Sequence, residues 1–180
     1  MALDSIATKR SFDPVVNDRT RLLILGSLPG EMSLAQARYY ANPRNQFWRL
    51  VGSVIGSDLV SQGYEKRLAA LLAAGIGLWD VIETASRTGS LDTSIRDHRP
   101  NRLAELAASL PNLAAVAFNG GKAAAIGRRQ LAALEGPSLI VLPSSSPAHT
   151  LAFERKRTAW MQLRAHLHGN TSAQKSVNGN

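Results

Sequence analysis

No cysteine occurs in the 180 residues, which excludes disulfides and any cysteine-ligated zinc or iron–sulfur centre. Long apolar runs are also missing, so no segment reaches membrane-spanning length. The opening "MALDSIATKR" has no apolar stretch behind a basic start, and a cytoplasmic protein is the simplest reading. Four scattered histidines, with only His166 and His168 close together, do not make a metal site, and no cofactor is expected. Acidic residues are scarce beside basic ones, 13 against 21, leaving a formal charge of +8. Sixteen of the cations are arginine, whose planar fork suits phosphate. A polyanionic partner, nucleic acid first, fits this balance, and a generic basic surface accounts for it as well.

What is present is a globular pattern. Hydrophobic residues make up 44% of the chain, enough for one domain with a proper core over residues 1–168. Residues 1–19 read as a lead-in, 20–168 as the core, and 169–180 as a disordered polar tail. "RLLILG" (21–26), "IGLWDVI" (76–82), "LAAVAFN" (113–119) and "SLIVLP" (138–143) are short apolar runs that predict buried strands. Helices are predicted from Ser33 (as a cap) to Tyr40, and over 46–56, 64–75, 101–109, 121–134 and 150–168. The segment 83–101, polar and rich in arginine, has no clear periodicity and reads as a long functional or disordered loop. Strands alternating with helices predict a three-layer α/β/α fold around a largely parallel four-stranded sheet. Ligand sites in such folds lie beyond the carboxyl ends of the strands. Four segments occupy those positions here: "GSLPG", "WDVIETA", "FNGGK" and "PSSSPAH".

Familiar motifs fail on inspection. "FNGGKAA" has Val116 where a phosphate loop needs its first glycine and Ala123 where it needs a hydroxyl. "GSLPG" lacks the glycine spacing of a dinucleotide site, and no G-x-S-x-G elbow supports a serine hydrolase. "YYANPRNQFW" (39–48) is different. Aromatics are core material, but two asparagines, an arginine and a proline interleaved with them suggest a lined pocket. Aromatic walls stack a flat heterocycle while carboxamides read its edge or hold a water.

In order along the chain, "LILGSLPG", "YYANPRNQFW", "GLWDVIETASRTGSLDTSI", "FNGGKA" and "LPSSSPAH" resemble the uracil-DNA glycosylase superfamily, most closely its hypoxanthine-DNA (deoxyinosine) glycosylase branch. The resemblance spans residues 21–165. It implies a monofunctional DNA glycosylase that hydrolyses the N-glycosidic bond of deaminated bases, hypoxanthine first. The implied partner is double-stranded DNA, with single strands as an alternative, and the protein would act as a monomer without cofactor, associated with a bacterial-type nucleoid. Mismatch-specific relatives place a catalytic Asn where Leu28 stands, and classical uracil glycosylases place a His where Leu142 stands. Strong activity on ordinary uracil is therefore not implied. A mismatch-specific uracil/thymine glycosylase and a non-catalytic nucleic-acid-binding module are the rival readings.

The resemblance also distributes roles. Asn45, expected to begin the helix through Trp48, would position the attacking water, with Asn42 as the alternative. Asp80 stands where relatives carry a base-reading Asn, with a helix or turn cap as the plainer alternative. Tyr40 and Phe47 would be stacking walls or simply core. Gly26, Ser27 and Asn119 complete the base site, a backbone amide near Asn119 taking the exocyclic oxygen. Ser144, Ser145, Ser146, Pro147 and His149 resemble the loop that pinches the phosphates. It lacks the large apolar wedge usual for unstacking bases, so Pro147 or His149 would substitute. Arg155 and Lys156 on the following helix would touch phosphate or form a solvated face. Lys122 is the one lysine that could act as a nucleophile instead of water.

Overall fold

The computed structural model describes residues 8–169. In chain order the elements are β1 (Thr8–Arg10), β2 (Leu22–Gly26), α1 (Glu31–Gln36), α2 (Phe47–Ile55), α3 (Tyr64–Ala73), β3 (Ile76–Asp80), β4 (Ile82–Ser86) and β5 (Arg96–Pro100). Then follow α4 (Leu103–Ser109), β6 (Ala115–Asn119), α5 (Gly121–Gln130), β7 (Ser138–Leu142) and α6 (Phe153–Trp160), the last running into a 3₁₀ turn over Met161–His166.

The central sheet has the order β3-β2-β6-β7, with every pair parallel. Side chains alternate across a strand, so β2 feeds two cores at once. Leu22 and Ile24 join Phe47, Trp48, Leu50, Leu71 and Trp160 on the face covered by α2, α3 and α6. Leu23 and Leu25 join Phe118, Leu103, Ala107 and Ala124 on the face covered by α4 and α5. The three-layer α/β/α expectation holds. Both faces of a parallel sheet must be covered, which is why its strands read as unbroken apolar runs rather than alternating ones.

Residues 83–101 depart from the expected loop. β4 and β5 form an antiparallel hairpin, and β1 pairs with the other edge of β4 to give a second, three-stranded sheet. The lead-in is thus partly structural. It also contributes a bridge from Val15 to Leu78, which covers the free edge of β3. Every residue of β5 is exposed, so no burial pattern marks it as a strand.

Helix ends also shift. Ser33 lies inside α1, whose cap is Gly30, and the helix stops at Ala37 in a left-handed conformation. The long helix expected over 150–168 shortens to α6 plus the 3₁₀ turn. The expected tail lies outside the described residues except for Gly169.

Candidate active site

Register places the site. Across the parallel ladder Gly26 pairs with Asp80, and Asn119 pairs with Leu142, so β2, β3, β6 and β7 all end on one edge. The loops beyond that edge enclose a cavity of about 620 Å³. Its lining includes Gly26, Ser27, Tyr40, Asn42, Asn45, Asp80, Asn119, Ser144, Ser145, Ser146, Pro147 and His149. Thus twelve of the fifteen side chains singled out from sequence meet around one hollow, and Phe47, Arg155 and Lys156 do not.

Gly26 forms the floor. A Cβ built there would fall 2.7 Å from Asp80 Oδ1 and 3.1 Å from Tyr40 Oη, so a side chain would occupy the space where these two groups converge. Asp80 is 4% exposed, and its Oδ2 is buried with no hydrogen-bond partner. Burial, then the nearby Asp92 carboxylate, pushes its carboxyl up to about 7, against a smaller opposing pull from Arg87. A cap would have its oxygens satisfied, so this orphan oxygen argues against that role. Close to neutrality the group is divided between a carboxylate, which only accepts, and a carboxylic acid, which also donates.

Tyr40 sits at a left-handed φ of 51°. Its ring stacks on Phe47 with centroids 3.7 Å apart and planes 7° apart. Phe47 itself is fully buried in the core behind Tyr40. The expected pair of stacking walls is therefore one wall with a support, because an inaccessible ring cannot meet a ligand. Burial raises the Tyr40 phenol well above its ordinary value, with Asp80 adding to the shift, so the hydroxyl stays neutral. Asn119 donates from Nδ2 to Tyr40 Oη (3.2 Å) and to Ser145 Oγ (2.9 Å), and its Oδ1 accepts from the Ser145 amide at 2.9 Å. Its side chain is thus committed to joining Tyr40 to the last loop. The neighbouring Gly120 amide is already turned to Leu142 O at 3.1 Å. Gly120 adopts a φ of +102°, and a Cβ there would meet Ser144 Cβ at 3.0 Å, so glycine allows that loop to close down.

The two asparagines of "ANPRN" both face the cavity, each fixed by a short-range bond. Asn42 Oδ1 accepts from the Arg44 amide at 3.0 Å, and Asn45 Oδ1 accepts from the Phe47 amide at 2.9 Å. Asn45 thus lies two residues ahead of α2 and holds its first turn. A carbonyl oxygen has two lone pairs, so each Asn keeps an acceptor for a water.

In the last loop, Ser145 is 1% exposed and bonded to Asn119, while its carbonyl accepts from the Gln46 amide at 3.0 Å. It holds the loop to the site rather than touching phosphate. Lys156 is likewise no phosphate contact. It is 1% exposed, with Nζ donating to Ser146 O at 3.3 Å, and burial lowers its pKa. Ser144 and Ser146 are half-buried, and Pro147 and His149 exposed. Arg155 is exposed on α6, outside the cavity lining. Among the described residues no lysine lines the cavity, Lys122 included.

Sequence reasoning missed the opposite wall, Ser90–Thr93, which belongs to the segment read as a loop. Ser27 Oγ donates to Asp92 Oδ1 at 2.6 Å, and the Glu31 amide donates to Ser90 Oγ at 2.9 Å. Arg87, 2% exposed, donates to the carbonyls of Leu28, Pro29 and Gly89, fastening the "GSLPG" turn to the hairpin. The length and polarity of 83–101 were the available signal.

The sequence profile of the Uracil DNA glycosylase superfamily matches residues 14–166. A hypoxanthine DNA glycosylase of Methanosarcina barkeri is 41% identical over 154 residues, covering 86% of this chain and 96% of that protein. One of Methanosarcina acetivorans is 41% identical over 158 residues, covering 88% and 99%. The solution NMR structure of a Methanosarcina acetivorans protein, proposed to be a uracil DNA glycosylase, superposes with a TM-score of 0.79 at 41% identity, covering 89% of this chain and 99% of that one.

Proposed function

This chain belongs to the uracil DNA glycosylase superfamily and is a DNA glycosylase, a hydrolase of N-glycosyl bonds acting on DNA, and we propose that it removes deaminated bases, hypoxanthine first, using water as the nucleophile. The observation that carries the substrate reading is the buried Asp80 with its unpartnered oxygen on the cavity floor.

Hydrolysis of this bond leaves an oxocarbenium-like sugar and an anionic base. The nucleotide must leave the stack for the reaction to occur in a cavity of this kind. With the base on the Tyr40 ring, Asp80 meets its lactam edge. In the neutral acid form Asp80 accepts the ring N–H and donates to the exocyclic oxygen, onto which part of the negative charge of the leaving base is delocalised. As a carboxylate it repels that oxygen. The acid form is therefore the productive one for this reading, and it is accessible near neutrality because burial of the Asp80 carboxyl disfavours its charged form. Asn45, fixed through the Phe47 amide, orients a water toward the sugar after the bond has begun to break. An amide is a weak base, which a dissociative reaction tolerates. Ser144, Ser146, Pro147 and His149 border the cavity where the flanking phosphates would pass, with Arg155 further out. A monomer suffices, since every group named comes from one chain.

A panel of duplexes containing inosine, uracil, xanthine or a G·T mismatch, followed by alkaline strand cleavage, tests the reading. Inosine should be cleaved fastest. Preference for uracil or the G·T mismatch would favour the rival specificity, and no cleavage of any substrate would refute catalysis on these lesions.

A further inference from the structure

Four large apolar side chains are exposed among the described residues: Met32, Val60, Leu91 and Val141. Single exposed leucines are ordinary on protein surfaces. Two of these four, however, lie on the rim of the one cavity that holds the proposed chemistry, and Leu91 is the more exposed of the pair at 54%.

The backbone around Leu91 is held on both sides. Ser90 Oγ accepts from the Glu31 amide, Asp92 Oδ1 accepts from Ser27 Oγ, and the Leu91 carbonyl accepts from the Ser94 amide at 3.1 Å. Arg87 anchors the approach to this tip through Gly89 O at 2.8 Å. A pinned turn that directs a branched aliphatic group outward beside a base-sized hollow has the properties of a wedge. Inserting an apolar side chain between base steps requires a rigid backbone, since a floppy one would lose ordering entropy on insertion. The serine loop across the cavity exposes only Pro147, Ala148 and His149 at its tip.

We propose that Leu91, flanked by Met32, is the side chain that enters the duplex and fills the space left by the extruded nucleotide. The inference rests on the glycosylase reading. It moves the wedge from the serine loop to the hairpin on the opposite lip, so that one lip holds the backbone while the other opens the stack.

Single-turnover excision of hypoxanthine by the wild type, Leu91→Ala and Leu91→Met tests it, on an inosine-containing duplex and on the same strand unpaired. A 2-aminopurine next to the lesion reports unstacking on binding, independently of excision. Leu91→Ala should slow excision from the duplex by about tenfold or more but from the single strand by less than about threefold, because only the duplex must be unstacked. The fluorescence rise should shrink with it, and Leu91→Met should restore most of both. Equal losses on the two substrates, or an unaffected duplex rate, would overturn the proposal, as would a wild-type enzyme confined to single strands. A wild-type enzyme inactive on both substrates would instead remove the reading on which the proposal rests.

Discussion

Replacing Asp80 by asparagine removes a titration while nearly keeping the shape, and the consequence can be worked out from burial alone. The ordinary carboxyl value is 3.8, and in the folded protein it rises to about 7. Below 3.8 both folded and unfolded chains hold the proton. Between 3.8 and 7 the unfolded chain gives it up while the native one retains it, so the native state binds more protons and stability falls as pH rises. Three units at about 1.4 kcal/mol each amount to about 4 kcal/mol, fully lost above pH 7. That is a large fraction of the usual 5–15 kcal/mol for a domain. Asp80→Asn has no such dependence, although its buried amide carries a pH-independent cost of about 1–3 kcal/mol if unpaired. Melting curves from pH 4.5 to 8.5 should therefore show the variant gaining on the wild type by up to about 10 °C, at roughly 2–4 °C per kcal/mol for a chain of this size. The same titration should appear in catalysis: wild-type excision of hypoxanthine declines above about pH 7, while the variant, which donates and accepts at every pH, has a flatter profile. Parallel melting profiles with parallel rate profiles would refute the assignment of a buried, titrating base reader.

Asn45→Ala should slow excision about a hundredfold or more, the scale of one lost oriented group, with little change in DNA affinity. Single-turnover rates with a binding isotherm decide it, and a crippled Asn42→Ala beside a nearly intact Asn45→Ala would reverse the roles. Gly26→Ala puts a methyl 2.7 Å from Asp80 Oδ1, so excision should fall by about a hundredfold as the base is displaced by an ångström or so. Its melting temperature should move much less than its rate, and retained activity would mean that the base lies elsewhere. Borohydride should trap no covalent enzyme–DNA adduct, and alkali should be needed to cut the product strand. An adduct lost in Lys122→Ala would replace water by an amine nucleophile.

The central sheet was legible because its inner strands, buried on both faces, are apolar throughout, as in "RLLILG" and "LAAVAFN". The convergence of site residues followed from where those strands end. β5 was not legible, since "RDHRP" is exposed along its whole length and is held by backbone pairing to β4 rather than by burial. Nor could the sequence separate Tyr40 from Phe47, or show that Ser145 and Lys156 point inward. A buried hydroxyl or ammonium is tolerated only because it is paired: Ser145 Oγ accepts from Asn119 Nδ2 and Lys156 Nζ donates to Ser146 O, and neither partner is adjacent in sequence.

Parallel strands stand about 4.8 Å apart, a distance fixed by backbone hydrogen bonds. Gly26, Asp80 and Asn119 cap three neighbouring strands in the order β3-β2-β6. They are therefore graduations on a ruler about 10 Å long, comparable with the long dimension of a purine and its sugar. The ruler does not depend on what is mounted at each mark. Exchanging the side chain at the Asp80 mark alters which base edge is read without moving the Gly26 floor or the Asn119 clamp beside it. Specificity in this fold can thus drift one mark at a time, while the distance across which a nucleotide is gripped stays constant.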